Sequence, residues 1–163
     1  KGKNVMTELG YNYRLTDVQA ALGISQLKKI NSFIRKRRQV VQWYEKALRD
    51  IENIILPREL PFARSVWHLY VIRSMQRNAL QQYLGTNGIS TMIHYPVPPH
   101  LQAAYAELGM KLGTLPISEA IHEQVLSLPM GPHLSDDDLS QVCQAVASFP
   151  VSTSSPLARQ PGA

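Results

Sequence analysis

Apolar residues recur at spacings of three, four and seven over the first third of the chain, and beyond it short alternating and continuous runs replace that period. Leu27, Ile30, Ile34, Val41, Tyr44 and Leu48 form the stripe of a long amphipathic helix. Ahead of it, Thr16 followed three residues later by Gln19 reads as a capping box, with Val18, Ala21, Leu22 and Ile24 supplying apolar contact behind it. A helix therefore starts there, and a bend is expected between Gly23 and Asn31. "LPRELP", Leu56 to Pro61, ends the helical pattern and opens a loop.

"SVWHLYVIR" has the β-branched and aromatic content of a strand, with Trp67, Leu69 and Val71 on one face and His68 and Tyr70 on the other. "NALQQYL" predicts a short helix closed by "GTNG", and "ISTMIHYPV" a second strand stopped by Pro96 and Pro98. A helix over "HLQAAYAEL" is expected from Leu101, Ala104, Tyr105 and Leu108, with Gly109 at its end. "SEAIHEQVL" reads as helical and "SLPM" as a short extended piece. Ser135 with Asp138 caps a last helix carrying Leu139, Val142, Val146 and Phe149. The pattern is that of a small α/β layer with two or three strands and four helices. Residues 151–163, rich in Ser, Pro and Gly, have little to bury and are expected to be disordered.

Composition narrows the class. A chain of 163 residues with 44% hydrophobic and 18% charged residues suits one globular domain, or a small domain with part of a neighbour. No apolar run approaches the ~20 residues a bilayer requires, so no membrane span is expected. Lys1 to Glu8 is polar and lacks the apolar core of a secretory signal, which makes the cytoplasm the default address. The single cysteine, Cys143, allows neither an internal disulfide nor a cysteine metal cluster. The net charge of +5 is uneven, because residues 1–50 hold eleven Lys/Arg against four Asp/Glu and the remainder six against eight. "RKRR", Arg35 to Arg38, contributes much of this; wrapped around a helix it reads as a solvated face with Arg37 near the apolar seam, and no nucleic-acid-binding motif accompanies it.

Candidate chemistry gathers at two places. "GYNYR" puts Tyr11, Asn12, Tyr13 and Arg14 into a glycine-led turn, a density of hydrogen-bonding side chains that a plain surface connection does not need. His94-Tyr95-Pro96 stands at the end of an expected strand, where side chains commonly project into a crevice. No pair of the five histidines has the spacing to clasp a metal from one element. Ser/His/Asp order, a nucleotide-binding glycine fingerprint and a Walker-type loop are all missing.

The order "LGYNYRLTDVQAALGISQLKKINSFIRKRRQVVQWYEKAL", "WHLYVIR", "GISTMIHYPVPPHLQ", "LSLPM" resembles the sugar aminotransferases of the DegT/DnrJ/EryC1/StrS family through most of residues 8–149. The resemblance implies the C-terminal part of the aspartate-aminotransferase-like (fold type I) pyridoxal-phosphate (PLP) transferase fold. Residues 1–50 would then close the large domain and supply linking helices, and residues 51–150 would form the small C-terminal α/β domain. It also implies a cytoplasmic homodimer that uses PLP to move an amino group, usually from glutamate, onto a nucleotide-linked keto-sugar, with "IHYPVPPHLQ" most like the branch acting on dTDP-linked 3-keto-6-deoxyhexoses in amino-sugar or surface-polysaccharide biosynthesis.

By the same resemblance Asn12 is the asparagine that reaches across the dimer to the phosphate of the partner's cofactor, a task suited to an amide donor facing an acceptor-only group. Tyr11, Tyr13 and Arg14 would line that cleft, with Arg14 as counter-charge to a phosphate. His94 and Tyr95 match the pair that faces the sugar and would orient it, with proton handling at the keto group a further role.

One departure stands out. The Schiff-base lysine, the aspartate on the pyridinium nitrogen and most of the phosphate cup lie, in the family, on a domain ahead of the glycine-led turn. The lysines here are Lys1, Lys3, Lys28, Lys29, Lys36, Lys46 and Lys111, and none has the family's catalytic context. No catalytic residue is assigned, and the chain alone is expected to be inactive. A start at Lys1 rather than Met fits a piece of something longer. Two other readings stand beside this one: a truncated, non-catalytic module docking on an intact homologue through residues 27–48, and, weaker, a nucleic-acid binder using the basic front half.

Overall fold

In a computed structural model of the chain, residues 13–150 are described. Tyr11 and Asn12, and the expected disorder of residues 151–163, lie outside them. Two helices come first, α1 (Asp17–Leu27) and α2 (Ile30–Leu48), separated at Lys28–Lys29 inside the expected bend. Thr16 caps α1 as anticipated: its hydroxyl accepts from the Gln19 amide at 3.3 Å while the Gln19 side chain takes the Thr16 amide at 3.0 Å. The apolar backing differs. Val18, Leu22 and Ile24 are exposed and α1 buries no residue. α2 changes character along its length, from an exposed Ile30 to buried Val40, Val41, Tyr44 and Leu48.

The strand β1 is Tyr70–Arg73, shorter than the nine-residue run predicted, and Trp67 does not keep to the face expected for it. Trp67 sits at φ 51°, a left-handed conformation that a bulky side chain rarely adopts, and this turn resets the alternation. Trp67, Tyr70 and Ile72 are consequently the buried residues, where the sequence had placed Trp67 with Leu69 and Val71. The turn is held in place by "RKRR". Arg37 Nη1 donates to the carbonyls of Trp67 and His68 at 3.1 and 2.8 Å, and Arg38 donates to the Ser65 carbonyl beside Glu59. Half of that run is thus not a solvated face but a clamp, because two of its guanidiniums meet backbone acceptors that the turn leaves without strand partners.

The partner of β1 is β2, Val125–Leu128, antiparallel in the register Tyr70↔Leu128 and Ile72↔Leu126. Residues 89–97, predicted as the second strand, contribute a single bridge between Met92 and Ser127. The extended piece instead begins earlier than "SLPM", taking over the end of the predicted "SEAIHEQVL" helix, which stops at Gln124. Burial explains the exchange: all four residues of β2 are covered, whereas Ser90, Met92 and Tyr95 stay open.

Around this two-stranded sheet pack α2, α3 (Arg77–Thr86), α4 (Pro116–Gln124) and α5 (Asp136–Ala147). Such a small sheet needs that cover to be stable. Tyr44, Leu48, Tyr70, Ile72, Leu80, Leu84, Leu126 and Val146 make the fully buried centre, each aliphatic side chain contributing about 1.5–3 kcal/mol by leaving water. Tyr44 donates its hydroxyl to the Pro129 carbonyl at 2.7 Å. Burial pushes the Cys143 thiol up to about 11, so it is a core side chain rather than a nucleophile. The predicted helix over residues 100–108 is two short 3₁₀ turns, Pro99–Leu101 and Ala103–Leu108; Tyr105 and Leu108, two of the residues expected to pack, stay exposed.

Candidate functional site

The expected site residues fall on two separate elements. Tyr13, 87% exposed, and Arg14 stand just ahead of the α1 cap. His94 and Tyr95 lie where the chain leaves its bridge to β2. The bridge is made by Ser127 N–H to the Met92 carbonyl at 2.8 Å and Met92 N–H to the Ser127 carbonyl at 3.3 Å. That pairing carries His94 past the buried Ser127 hydroxyl, and His94 Nδ1 sits 2.8 Å from Ser127 Oγ. The His94–Tyr95 peptide is cis, and the two rings meet edge to face with centroids 5.5 Å apart. Tyr95 remains 65% exposed.

This arrangement has defined chemistry. A serine hydroxyl both donates and accepts, so Ser127 can hold the ring in either tautomer. If Ser127 donates to Nδ1, Nε2 carries the proton and offers a donor; if Nδ1 donates to Ser127, Nε2 is a base. In both cases a half-buried imidazole nitrogen and an exposed phenol stand side by side, a pair able to orient a polyhydroxylated ligand and to hold or move a proton on one of its oxygens. Ser127 was not picked out from the sequence; its signal is one polar residue inside the wholly buried run Val125–Leu128.

A second polar cluster lies five residues along. His100, buried, places Nε2 2.9 Å from Glu119 Oε1, and the same carboxylate accepts from the amides of Gly113, at 2.8 and 3.0 Å, and Leu115, at 3.1 Å. Those bonds, the Gly113 amide first, then His100 and Leu115, hold the Glu119 carboxyl below the usual glutamate range. A groove of about 820 Å³ lies elsewhere, between α2 and the segment leading into α5, with Lys36, Trp43, Lys46 and Pro132 among its walls. None of the candidate site residues lines it, so volume and chemistry point to different places, and the chemistry is the better guide to a site.

PLP is tethered through a lysine amine in an aminotransferase. A cofactor amine needs a sheltered position, and Lys28, Lys29, Lys36, Lys46 and Lys111 are all exposed. What the described residues do present, from the edge of a small sheet, is an imidazole and a phenol side by side. Among the described residues no group of three or more His, Cys, Asp or Glu could hold a metal, and no helix is long and apolar enough to cross a membrane.

The described residues thus form an α/β unit in which helices cover a small two-stranded antiparallel sheet. Residues 1–147 match the DegT/DnrJ/EryC1/StrS aminotransferase family, and the chain belongs to it. It is 42% identical over 142 residues to the erythromycin biosynthesis sensory transduction protein EryC1 of Saccharopolyspora erythraea, a match covering 87% of this chain and 39% of that protein. It is 40% identical over 142 residues to the dTDP-3-amino-3,6-dideoxy-alpha-D-galactopyranose transaminase of Aneurinibacillus thermoaerophilus, covering 86% and 38%. Among solved structures it superposes on DesV of S. venezuelae, crystallised with a ketimine intermediate, with a TM-score of 0.84 and 37% identity over 90% of this chain and 40% of that one. A DegT DnrJ EryC1 StrS aminotransferase from Brucella abortus gives a TM-score of 0.81 and 32% identity, covering 91% and 39%. The fold is thus the C-terminal part of the fold type I aminotransferase architecture, and the chain spans about two-fifths of the length of these relatives.

Proposed function

We propose that these residues form the C-terminal portion of a PLP-dependent nucleotide-sugar aminotransferase that moves an amino group from glutamate to a dTDP-linked keto-deoxyhexose. The observation that carries this reading is the family match over residues 1–147, together with relatives named as transaminases of dTDP-amino-deoxy sugars. Residues 1–50 end the large domain and link it to the small domain of residues 51–150. His94 and Tyr95 supply the wall that faces the sugar, with His94 held by Ser127 so that Nε2 can meet a sugar oxygen. Asn12 donates to the cofactor phosphate across a homodimer interface, and Tyr11, Tyr13 and Arg14 line that cleft. PLP, when bound in the intact enzyme, supplies the electron sink for the amine transfer. The lysine that would tether it is not among these residues, so the chain alone is not a catalyst.

The test is a direct comparison with PLP, glutamate and a dTDP-keto-deoxyhexose, followed by mass spectrometry of the sugar nucleotide. The full-length gene product converts the keto-sugar to the amino-sugar; residues 1–163 alone do not. Turnover by residues 1–163, abolished by borohydride, would overturn the inactivity of the isolated chain, and no turnover by the full-length product would overturn the reading as a whole.

A further inference from the structure

Between Leu101 and Leu112 the chain makes an exposed excursion, and both of its ends come back to one side chain. Glu119 Oε1 meets His100 Nε2 at the start of the excursion, and both carboxylate oxygens take the Gly113 amide at its end. Gly113 has φ +89°, a conformation open to glycine and strained for any residue with a Cβ, and it is this backbone that turns the N–H toward the carboxylate. The excursion is an Ω-loop whose neck is closed by a single carboxylate.

The near side of the neck is rigidly coupled to the candidate site. "YPVPPH", Tyr95 to His100, contains three prolines, and each locks its own φ. Pro98 adopts φ −65° and ψ 149°, the extended polyproline conformation, and is buried. Gln102 Nε2 donates back to the Val97 carbonyl at 2.9 Å, bracing the segment from outside. The strut is pinned at both ends, by His94 on Ser127 and by His100 on Glu119, and exposed Tyr95 stands between the pins.

His100 Nδ1 is buried without a hydrogen-bond partner. A carboxylate can only accept, so it is His100 Nε2 that donates to Glu119. A buried polar atom left unsatisfied carries a cost, which the charge-assisted bond to Glu119 must outweigh to keep His100 in place.

We propose that Glu119 is a positioning residue for the sugar site: by closing the loop neck on His100 it fixes the proline strut that aims Tyr95 and His94. This rests on the reading of His94 and Tyr95 as the sugar-facing wall. Glu119 touches no substrate in this assignment and acts only through His100 and the strut.

The experiment uses the full-length gene product and four variants, Glu119→Gln, His100→Leu, His100→Gln and His94→Ala, with two readouts. Amide exchange at Gly113 and Leu115 reports the neck without any turnover. Steady-state kinetics reports KM for the keto-sugar nucleotide separately from kcat and from the half-reaction with the amino donor. Glu119→Gln and His100→Leu are expected to raise exchange at Gly113 by about tenfold or more, the loss of a charge-assisted bond. Both are expected to raise the sugar-nucleotide KM by a similar factor while leaving the donor half-reaction within about twofold of the parent. His100→Gln keeps a side-chain N–H near the position of Nε2 and is expected to restore both values.

If exchange rises in Glu119→Gln and His100→Leu but the sugar KM stays put while His94→Ala raises it, Glu119 merely caps α4 and the assignment fails on its own. Loss of both properties in His100→Gln would equally overturn it. If His94→Ala also leaves the sugar KM unchanged, the sugar-facing reading falls and takes this assignment with it. Should Glu119→Gln not fold, the contrast between His100→Leu and His100→Gln decides alone.

Discussion

α1 and α5 open on the same device and meet opposite surroundings. Thr16 with Gln19 and Ser135 with Asp138 each form a reciprocal capping box, with hydroxyl-to-amide distances of 3.3 and 3.2 Å. Both helices carry apolar residues at helical spacing. α5 buries Leu139, Val142, Cys143, Ala145 and Val146 against α2 and α3, whereas α1 buries nothing and exposes Val18, Leu22, Ile24 and Leu27. A capping box is a local contract between four residues, readable wherever it occurs; burial depends on what else is in the neighbourhood.

The widest gap between the two helices should appear on truncating a leucine in each. Leu139→Ala removes a side chain only 4% exposed and should cost about 2–5 kcal/mol of unfolding free energy, the range for buried leucines that leave a cavity. Leu22→Ala, at a position 61% exposed, should stay within about 0.5 kcal/mol in residues 1–163. Denaturant unfolding of the two variants measures this, and a Leu22→Ala penalty comparable to that of Leu139→Ala would show that α1 is packed in solution.

Capping gives a smaller contrast. Ser135→Ala should lower stability by about 1 kcal/mol, because the helix it starts is part of the cooperative core. Thr16→Ala should fray α1 without moving the main unfolding transition, since none of its side chains joins that core. Far-ultraviolet circular dichroism would register the lost helix while the near-ultraviolet transition midpoint stays in place. A shared downward shift of both would mean that α1 unfolds with the rest.

What could be read from the sequence follows the same division. The caps of α1 and α5 and the break between α1 and α2 were legible because each is decided within a few residues, whereas the helix expected over residues 100–108 and the end of "SEAIHEQVL" were not. The sheet was less so. "ISTMIHYPV" has better strand composition than "VLSL", yet the sheet takes "VLSL", because antiparallel pairing with Tyr70–Arg73 and cover by α3 and α4 are decided across more than fifty residues of chain. The alternation in "SVWHLYVIR" was misphased by one residue's φ at Trp67, held there by Arg37 from another element. Of the candidate site, His94 and Tyr95 could be found from their place before a proline and from the family resemblance. Ser127 and Glu119 could not, because each acts through a contact 33 or 19 residues away in sequence.

The finest test of the comparison uses acid. The two boxes differ in the atom that receives the N-cap amide: an uncharged Gln19 oxygen at α1 and an Asp138 carboxylate oxygen at α5. Bonds from Ser135, its hydroxyl first and its amide second, favour the ionised form and hold Asp138 below its ordinary value of 3.8. A carboxyl whose folded-state value is depressed adds stability that is fully present above the unfolded value and is lost as pH falls through the folded one. The α5 box should therefore be intact at neutral pH and fail only below pH 3.8, whereas the α1 box has no titrating member. Glu119 is also held below its usual range, so whole-molecule acid unfolding would mix the two groups. The Ser135 amide proton, which donates to Asp138 at 2.8 Å, separates them: its chemical shift should move with a midpoint below 3.8, while that of Thr16 changes far less. In Ser135→Ala the stability difference from the parent should narrow over the same acid range, with the Glu119 contribution cancelling. A Ser135 midpoint at or above 3.8 would mean that the serine does not hold the carboxylate.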